Sequence, residues 1–184
     1  MVDLSSLLPL LYNGALLLAL AFIYDVLAFP TLSHLNWRQQ VLLGFLVGAI
    51  GVIVMLTPWL YVPGIVFDTR SVLLSISGLF FGVIPPLVAV VMTAALRLYQ
   101  GGAGAYTGVA VIVATSLVGL GWRYWRKPRL AQLAWGELYL FGVVVHIVML
   151  LLLTTLPWPA PLAVLPLITL PVMLIYPVIT ALLG

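Results

Sequence analysis

The feature that most constrains this chain is an apolar segment that begins at Arg70, ends at Arg97 and is interrupted in its middle by Gly82–Pro86. As one straight helix, the segment would place the two arginines about 40 Å apart, at ~1.5 Å per residue. Proline lacks a backbone N–H and disfavours helical backbone in the residue before it, so the proline pair predicts a break. The segment is therefore either a hairpin of two short helices or one kinked span.

The hairpin is the favoured alternative because each half of the segment is short. The halves, residues 71–81 and 87–98, would be about 17–18 Å long, whereas the hydrocarbon core of a bilayer is ~30 Å thick. Non-helical backbone at that depth is tolerated inside protein or beside a water-filled cavity. We therefore expect a short helical hairpin among longer helices, with Arg70 and Arg97 on the same side of the membrane.

The composition places the whole chain in a membrane. Of its 184 residues, 65% are hydrophobic and 6% are charged, and the mean hydropathy is +1.29. We expect an all-α integral membrane protein, a polytopic bundle of six to seven transmembrane segments with the short hairpin at its centre. The absence of cysteine excludes disulfides and thiolate metal sites. The N-terminus lacks the basic stretch of a cleaved signal peptide.

The other apolar segments are predicted to be membrane spans, at residues 4–27, 41–56, 105–124, 135–155 and 162–183. Small residues recur at helical spacing in two of them, which predicts close contact with neighbouring helices. These are Gly44, Gly48 and Gly51 in one span, and Gly104, Gly108, Thr115 and Gly119 in the other. The last segment contains three prolines and is expected to begin with a kink.

The orientation follows from a basic cluster, Arg123, Arg126, Lys127 and Arg129. Positive charge concentrates in cytoplasmic loops, so this cluster and the C-terminus are predicted to be cytoplasmic, with the two hairpin arginines on the outer side. The same cluster is predicted to contact lipid and no nucleic acid. The sequence stops just after the last helix, so we expect a module of something larger, with the output domain absent from this chain.

The two hairpin arginines are the best candidates for a binding site. Arginine is costly in an apolar core, so it tends to face a cavity or a partner. Two adjacent arginines repel each other unless an anion lies between them, and a guanidinium binds a carboxylate or a phosphate through two parallel hydrogen bonds. Asp68 is the candidate that neutralises one of them. The alternative is that Arg70 and Arg97 are interfacial anchors whose charged ends reach the headgroups.

Glycine N–H groups and the start of the helix near Ala105 would add donors for an anion. Tyr106 and Thr107 carry hydroxyls next to them. The predicted ligand-binding set is Arg70, Arg97, Asp68, Ser71, Gly101, Gly102, Gly104 and Thr107.

No other chemistry is predicted. His146 is a lone histidine on an apolar segment, which is typical of a hydrogen-bonded packing residue. No second histidine or carboxylate lies at metal-ligand spacing, and no nucleophile–base pair or phosphate-binding loop is visible. We therefore predict no catalytic site, metal or cofactor, and expect that the chain is not an enzyme.

Four runs of residues resemble the LytS-YhcK-type five-transmembrane receptor module. They are an acidic-x-Arg opening at Phe67–Ser71, a glycine-flanked stretch at Gly78–Gly82, the second arginine in Ala95–Arg97, and a glycine loop at Gly101–Ala105. The resemblance covers residues 66–124. The chain departs from the family's pattern at Pro85 and Pro86, where smaller residues are usual.

The resemblance implies that residues 1–184 form one transmembrane sensor domain of the bacterial cytoplasmic membrane. In this family the module precedes a cytoplasmic histidine-kinase or diguanylate-cyclase (GGDEF) domain and senses envelope state or small metabolites, including carboxylates such as pyruvate. Arg70 and Arg97 would contact a small anionic ligand, and the chain is expected to form a homodimer. The alternatives are a small-solute transport subunit similar to the S-components of vitamin uptake, or a purely structural membrane protein.

Overall fold

The computed structural model describes residues 36–56, 59–62, 65–126, 130 and 133–184, and the predicted span at residues 4–27 lies outside them. Within these ranges there are six helices and two short strands. They are α1 (Trp37–Leu56), β1 (Trp59–Val62), β2 (Ile65–Phe67), α2 (Arg70–Phe81), α3 (Ile84–Gln100), α4 (Ala105–Arg126), α5 (Trp135–Leu153) and α6 (Ala160–Leu183).

Four of these helices, α1, α4, α5 and α6, are long and apolar enough to cross a membrane, whereas α2 and α3 are shorter. The chain is therefore a multi-pass membrane protein. The predicted number of six to seven spanning segments is supported in part, because the described residues contain four long spans and the hairpin of α2 and α3.

Helix α1 begins four residues before the predicted span because its first turn is capped. The backbone N–H of Asn36 donates to Oε1 of Gln39 at 2.9 Å, and the N–H of Gln39 donates to Oδ1 of Asn36 at 3.0 Å. This reciprocal pair satisfies two N–H groups that have no partner within the helix.

The predicted all-α architecture is confirmed for the described residues, with one short pair of strands in the connection between α1 and α2. Strands β1 and β2 pair there as an antiparallel two-stranded sheet, with Trp59 opposite Phe67 and Leu60 opposite Val66. Aromatic and β-branched residues fit the pleated surface of a strand, which explains why this connection is extended rather than irregular.

The helical hairpin is confirmed, and Gly82 makes its turn. Gly82 has φ +86°, a conformation that only glycine adopts readily, and it lies between the end of α2 and the start of α3. Pro85 and Pro86 lie in the first turn of α3 rather than outside it, because N–H groups in a first turn need no acceptor within the helix. Helix α3 thus has 17 residues rather than the predicted 12.

Glycines hold the hairpin tightly against its neighbours, as the small-residue spacing predicts. A Cβ on Gly44 of α1 would lie 2.7 Å from Cβ of Val88 in α3. Between α2 and α4, a Cβ on Gly78 would lie 2.7 Å from the Ser116 carbonyl oxygen, and one on Gly119 would overlap the Ser75 carbonyl oxygen. Both halves of the hairpin therefore lie in backbone-to-backbone contact with a long helix.

Helix α6 is continuous from Ala160 to Leu183 although Pro166, Pro171 and Pro177 lie inside it. It packs against α5, where a Cβ on Gly142 would lie 2.8 Å from Cα of Pro177. At the end of α6, a Cβ on Gly184 would lie 3.2 Å from Cε2 of Phe80. The C-terminal end of α6 therefore lies beside the turn of the hairpin.

Candidate functional site

A cavity of about 40 Å³ lies where the two ends of the hairpin meet α4 and α5. It receives Asp68, Arg70 and Ser71 from the start of α2 and Arg97 from the last turn of α3. The rest of its lining comes from Gly104, Thr107, Gly108 and Val111 at the start of α4, and from Met149, Leu153 and Leu156 at the end of α5 and just after it. The hairpin thus brings two arginines, distant in sequence, to one cavity.

Asp68 holds Arg70 in place but leaves part of both groups unpaired. Oδ1 of Asp68 accepts the backbone N–H of Arg70 at 3.0 Å and lies 3.3 Å from its Nε. Asp68 is 5% exposed and Arg70 is 6% exposed. Among the residues that the structure describes, Oδ2 of Asp68 and Nη1 of Arg70 have no hydrogen-bond partner. Buried groups of this kind cost free energy unless a ligand or water satisfies them.

Arg97 lies flat against α4 because residue 108 is glycine. A Cβ on Gly108 would lie 2.7 Å from Nε of Arg97 and 3.1 Å from its Cγ. Nη1 of Arg97 donates to the Gly101 carbonyl at 2.9 Å, and the side chain is 2% exposed. A guanidinium so deeply buried does not reach the headgroup layer in the manner of a surface anchor.

Ser71 connects the cavity to helices α5 and α6 through His146. Nδ1 of His146 lies 2.7 Å from the Gly142 carbonyl, which can only accept, so Nδ1 carries the ring proton. In the neutral ring Nε2 then accepts the Ser71 hydroxyl, 3.2 Å away. The His146 ring makes an edge contact with Tyr176, with ring centroids 5.0 Å apart. His146 is thus the buried, hydrogen-bonded packing residue that the sequence predicts.

Part of the cavity lining is apolar. It consists of Val111, Met149, Leu153 and Leu156. The Thr107 hydroxyl, which also belongs to the lining, is in a hydrogen bond, since its Oγ1 lies 3.1 Å from Oγ1 of Thr155. The site therefore combines charged and aliphatic side chains.

The comparison with known protein families gives a match over most of the chain. The family model described as 5TMR of 5TMR-LYT, the LytS-YhcK five-transmembrane receptor module, matches residues 23–184. The chain belongs to this receptor family. No curated protein and no solved structure gives a match.

The five-transmembrane receptor module is a membrane sensor of sensor kinases and is linked to cytoplasmic output domains. The match extends well beyond residues 66–124, where the sequence motifs are found. The part of it that the structure describes contains four long apolar helices and one hairpin of two shorter apolar helices.

The structure brings six of the eight predicted site residues of this receptor module to the cavity. These are Asp68, Arg70, Ser71, Arg97, Gly104 and Thr107. Gly101 and Gly102 do not line it. They form the turn after α3 with φ +63° and +85°, and the Gly101 N–H donates back to the carbonyls of Arg97 and Leu98. Tyr106 is 84% exposed and does not line the cavity either. That the predicted residues bind a ligand stays a prediction.

Sequence reasoning did not predict that further residues of α4 and α5 line the cavity. Gly108 and Val111 follow Gly104 at helical spacing, and this spacing could have placed them on the cavity face of α4. Nothing local to α5 marks Met149 or Leu153, because they reach the cavity only through the packing of α5 on the hairpin.

A third arginine, Arg123 of α4, contacts the hairpin beside its turn. Nη1 of Arg123, near the end of α4, donates to the carbonyls of Leu79 at 3.0 Å and Phe80 at 2.8 Å. These carbonyls belong to the last turn of α2, where carbonyl oxygens have no N–H donor within the helix. Beside it, Arg126 pairs with Glu137. Members of the basic cluster therefore also bind protein, which the sequence did not predict, while residues 127–129 lie outside the described ranges.

Proposed function

We propose that the chain is the membrane-embedded input domain of a bacterial sensor, which binds a small carboxylate-like anion between Arg70 and Arg97 and signals to a cytoplasmic kinase or diguanylate cyclase. The observation that carries the proposal is that two buried arginines and one carboxylate line the same small cavity.

Energetics favour a ligand over a purely structural role for these arginines. Placing an arginine in the centre of a membrane helix costs about 2.5–3.5 kcal/mol on insertion scales. Here two lie together, and Nη1 of Arg70 has no hydrogen-bond partner in the described part of the chain. A carboxylate offers two acceptor oxygens in the geometry that a guanidinium fork prefers.

The hairpin is the element that would carry the signal. Its open end forms the cavity, and its turn lies against the end of α6 through Phe80 and Gly184. A ligand that draws Arg70 and Arg97 together would shift α2 along α4 and α6. Such a ligand changes the equilibrium only as far as it binds the two arrangements with different affinities.

The remaining predictions are part of the same proposal. Residues 1–184 act as one sensor domain in the bacterial cytoplasmic membrane, as a homodimer, with the cavity on the outer side and the output domain supplied outside this chain. The chain itself acts as a receptor rather than as an enzyme. Membership of a receptor family favours this function over that of a transport subunit.

The test is the thermal stability of the purified protein over a panel of small carboxylates and phosphates. A ligand stabilises the folded state by RT ln(1 + [L]/Kd), about 2.7 kcal/mol at 100 times Kd. We expect a saturable rise in melting temperature that Arg97→Ala abolishes.

Arg38→Ala is the matched control, because Arg38 is an exposed arginine at the start of α1, and it should keep the full response. No shift with any compound, or an equal shift in Arg97→Ala, would overturn the proposal.

A further inference from the structure

We propose that Tyr176 of α6 is a positioning residue for the candidate site: its hydroxyl donates, through one buried water, to Oδ2 of Asp68 and so ties α6 to the ion pair at the start of α2. The tie itself needs no ligand. Its effect on anion binding rests on the proposed function and is tested separately from the tie.

Two buried polar atoms, Oδ2 of Asp68 and the Tyr176 hydroxyl, have no hydrogen-bond partner among the residues that the structure describes. Asp68 is 5% exposed and Tyr176 is 1% exposed, so bulk water does not reach them. A carboxylate oxygen only accepts hydrogen bonds, so an anionic ligand cannot satisfy Oδ2 of Asp68 and a neutral donor must. A tyrosine O–H is such a donor, and its own burial without a partner is costly.

Tyr176 lies beside the start of α2 without lining the cavity. The Ser71 hydroxyl, next to Arg70 in the chain, lies 3.2 Å from Nε2 of His146. The centroid of the His146 ring lies in turn 5.0 Å from that of Tyr176. The charges of Asp68 and Arg70 both act on the Tyr176 hydroxyl, although Tyr176 is not among the lining residues. The tyrosine therefore approaches the ion pair from the side of α6.

A single water is the partner that fits both atoms. The Tyr176 hydroxyl and Asp68 make no direct hydrogen bond, so they lie farther apart than hydrogen-bond distance. Buried waters lie where roughly two to four polar groups converge, and a water-mediated hydrogen bond is enthalpically nearly as favourable as a direct one. Here the water accepts a hydrogen bond from the tyrosine O–H and donates one to Oδ2 of Asp68. Nη1 of Arg70 then stays available for the anion.

The consequence of the tie lies in α6, where Pro177 follows Tyr176. Proline has no N–H to donate to the carbonyl four residues earlier, so this turn of the helix lacks a backbone hydrogen bond and bends more easily than an unbroken turn. At the other end of the tie, Oδ1 of Asp68 lies 3.3 Å from Nε of Arg70. A movement of Arg70 that shifts Asp68 would therefore reach α6 at a weak turn.

The first test compares two tyrosine-to-phenylalanine variants in the absence of ligand. Tyr176→Phe keeps the ring that contacts His146 and removes only the hydroxyl, so the melting temperature of the purified protein should fall by about 3 °C or more. Tyr139→Phe on α5 is the matched control, because Tyr139 is 42% exposed, and its melting temperature should not change. If the Tyr176 hydroxyl had no partner, its removal would leave the melting temperature unchanged or raise it, and either result overturns the tie.

A double-mutant cycle identifies the partner of the hydroxyl. Asp68→Asn removes the charge that the water contacts, so Tyr176→Phe in this background should lower the melting temperature by about half as much or less. An equal loss in both backgrounds would assign the hydroxyl to another group and overturn the tie. Should Asp68→Asn fail to fold, hydrogen exchange of Tyr176→Phe decides instead. Exchange should become faster at residues 68–74, and an unchanged rate there overturns the tie.

Anion titration tests the positioning role. Because a less firmly held Asp68 orients Arg70 less well, Tyr176→Phe should bind acetate or phosphate about threefold more weakly than wild type. Tyr139→Phe should bind them as wild type does. A lower melting temperature of Tyr176→Phe with unchanged anion affinity overturns the positioning role. If no carboxylate or phosphate binds wild type, the proposed function fails and the positioning role with it, while the ligand-free comparison still decides the tie.

Discussion

The two ends of the central hairpin use arginine in opposite ways. At the cavity end, Arg70 and Arg97 lie together, and Nη1 of Arg70 lacks a partner within the described ranges. At the turn end, Nη1 of Arg123 donates to two carbonyls that finish α2. The same side chain is thus a candidate ligand group at one end and a helix cap at the other.

The comparison teaches that contact with the hairpin does not by itself identify a binding arginine. What distinguishes the cavity end is a guanidinium nitrogen, Nη1 of Arg70, that lies beside open space and has no hydrogen-bond partner among the described residues. What distinguishes the turn end is that the arginine supplies donors where a helix end needs them. A sensor of this kind would need both arrangements. A movement of the hairpin at the cavity end would reach a distant helix only if Arg123 keeps the turn end fixed.

The largest effect is expected where α2 and α4 touch between the two ends. A Cβ on Gly119 would overlap the Ser75 backbone carbonyl, which cannot rotate away as a side chain can. Gly119→Ala should therefore destabilise the protein by about 3 kcal/mol, at the upper end of overpacking costs. The measurement is thermal unfolding in detergent. Gly121→Ala on the same helix is the control, since no atom of the described residues outside its own helix lies within 4 Å of its added Cβ. Equal losses in both variants would contradict this packing.

At the turn end, Arg123→Ala should lower stability and leave ligand binding intact. It removes two hydrogen bonds from a charged donor, each worth up to ~1.5–3 kcal/mol when buried. Because Arg123 is partly exposed, we expect a total loss of about 2 kcal/mol. Thermal unfolding with and without the best anion separates the two properties. If a folded Arg123→Ala protein shows no rise in melting temperature with the anion, the two ends of the hairpin do not have the separate roles described above.

At the cavity end, Gly108→Ala should weaken ligand binding and leave stability nearly unchanged. Its Cβ would lie 2.7 Å from Nε of Arg97, and this flexible side chain can move away at small cost in stability. The displaced guanidinium should then bind an anion about tenfold more weakly, which corresponds to about 1.4 kcal/mol. Titration of the variant beside Gly121→Ala measures this. Unchanged affinity would mean that the position of Arg97 on α4 does not matter for binding.

Much of this arrangement could be predicted from sequence because its signals are local. Two arginines at the ends of one apolar segment and a glycine–proline break between them indicated the hairpin, and Asp68 is two residues from Arg70. The length of α3 was underestimated, because the same two prolines that break a helix interior also suit a first turn.

The rest depends on which helices pack together. The glycine spacing in α4 indicated close contact but not that Gly108 would face Arg97. The basic cluster indicated a membrane side but not that Arg123 would turn inward to cap α2. Three of the four aliphatic lining residues, Met149, Leu153 and Leu156, come from α5 and the residues just after it. They lie some 50 residues or more from the nearest arginine of the site, and no local pattern marks them.

The smallest effects are expected from two serines of α2 that share chemistry but not surroundings. Ser71, at the cavity end, donates to Nε2 of His146, so Ser71→Ala leaves a buried acceptor unpaired and should cost about 1–2 kcal/mol. Oγ of Ser77, nearer the turn, is buried with no hydrogen-bond partner in the described part of the chain. Ser77→Ala should therefore be neutral or slightly stabilising, because it removes a polar group that gains nothing from burial. Thermal unfolding of the two variants in parallel measures the difference in stability. If Ser77→Ala lowers the stability as much as Ser71→Ala does, the hydrogen bond between Ser71 and His146 is not what distinguishes the two serines.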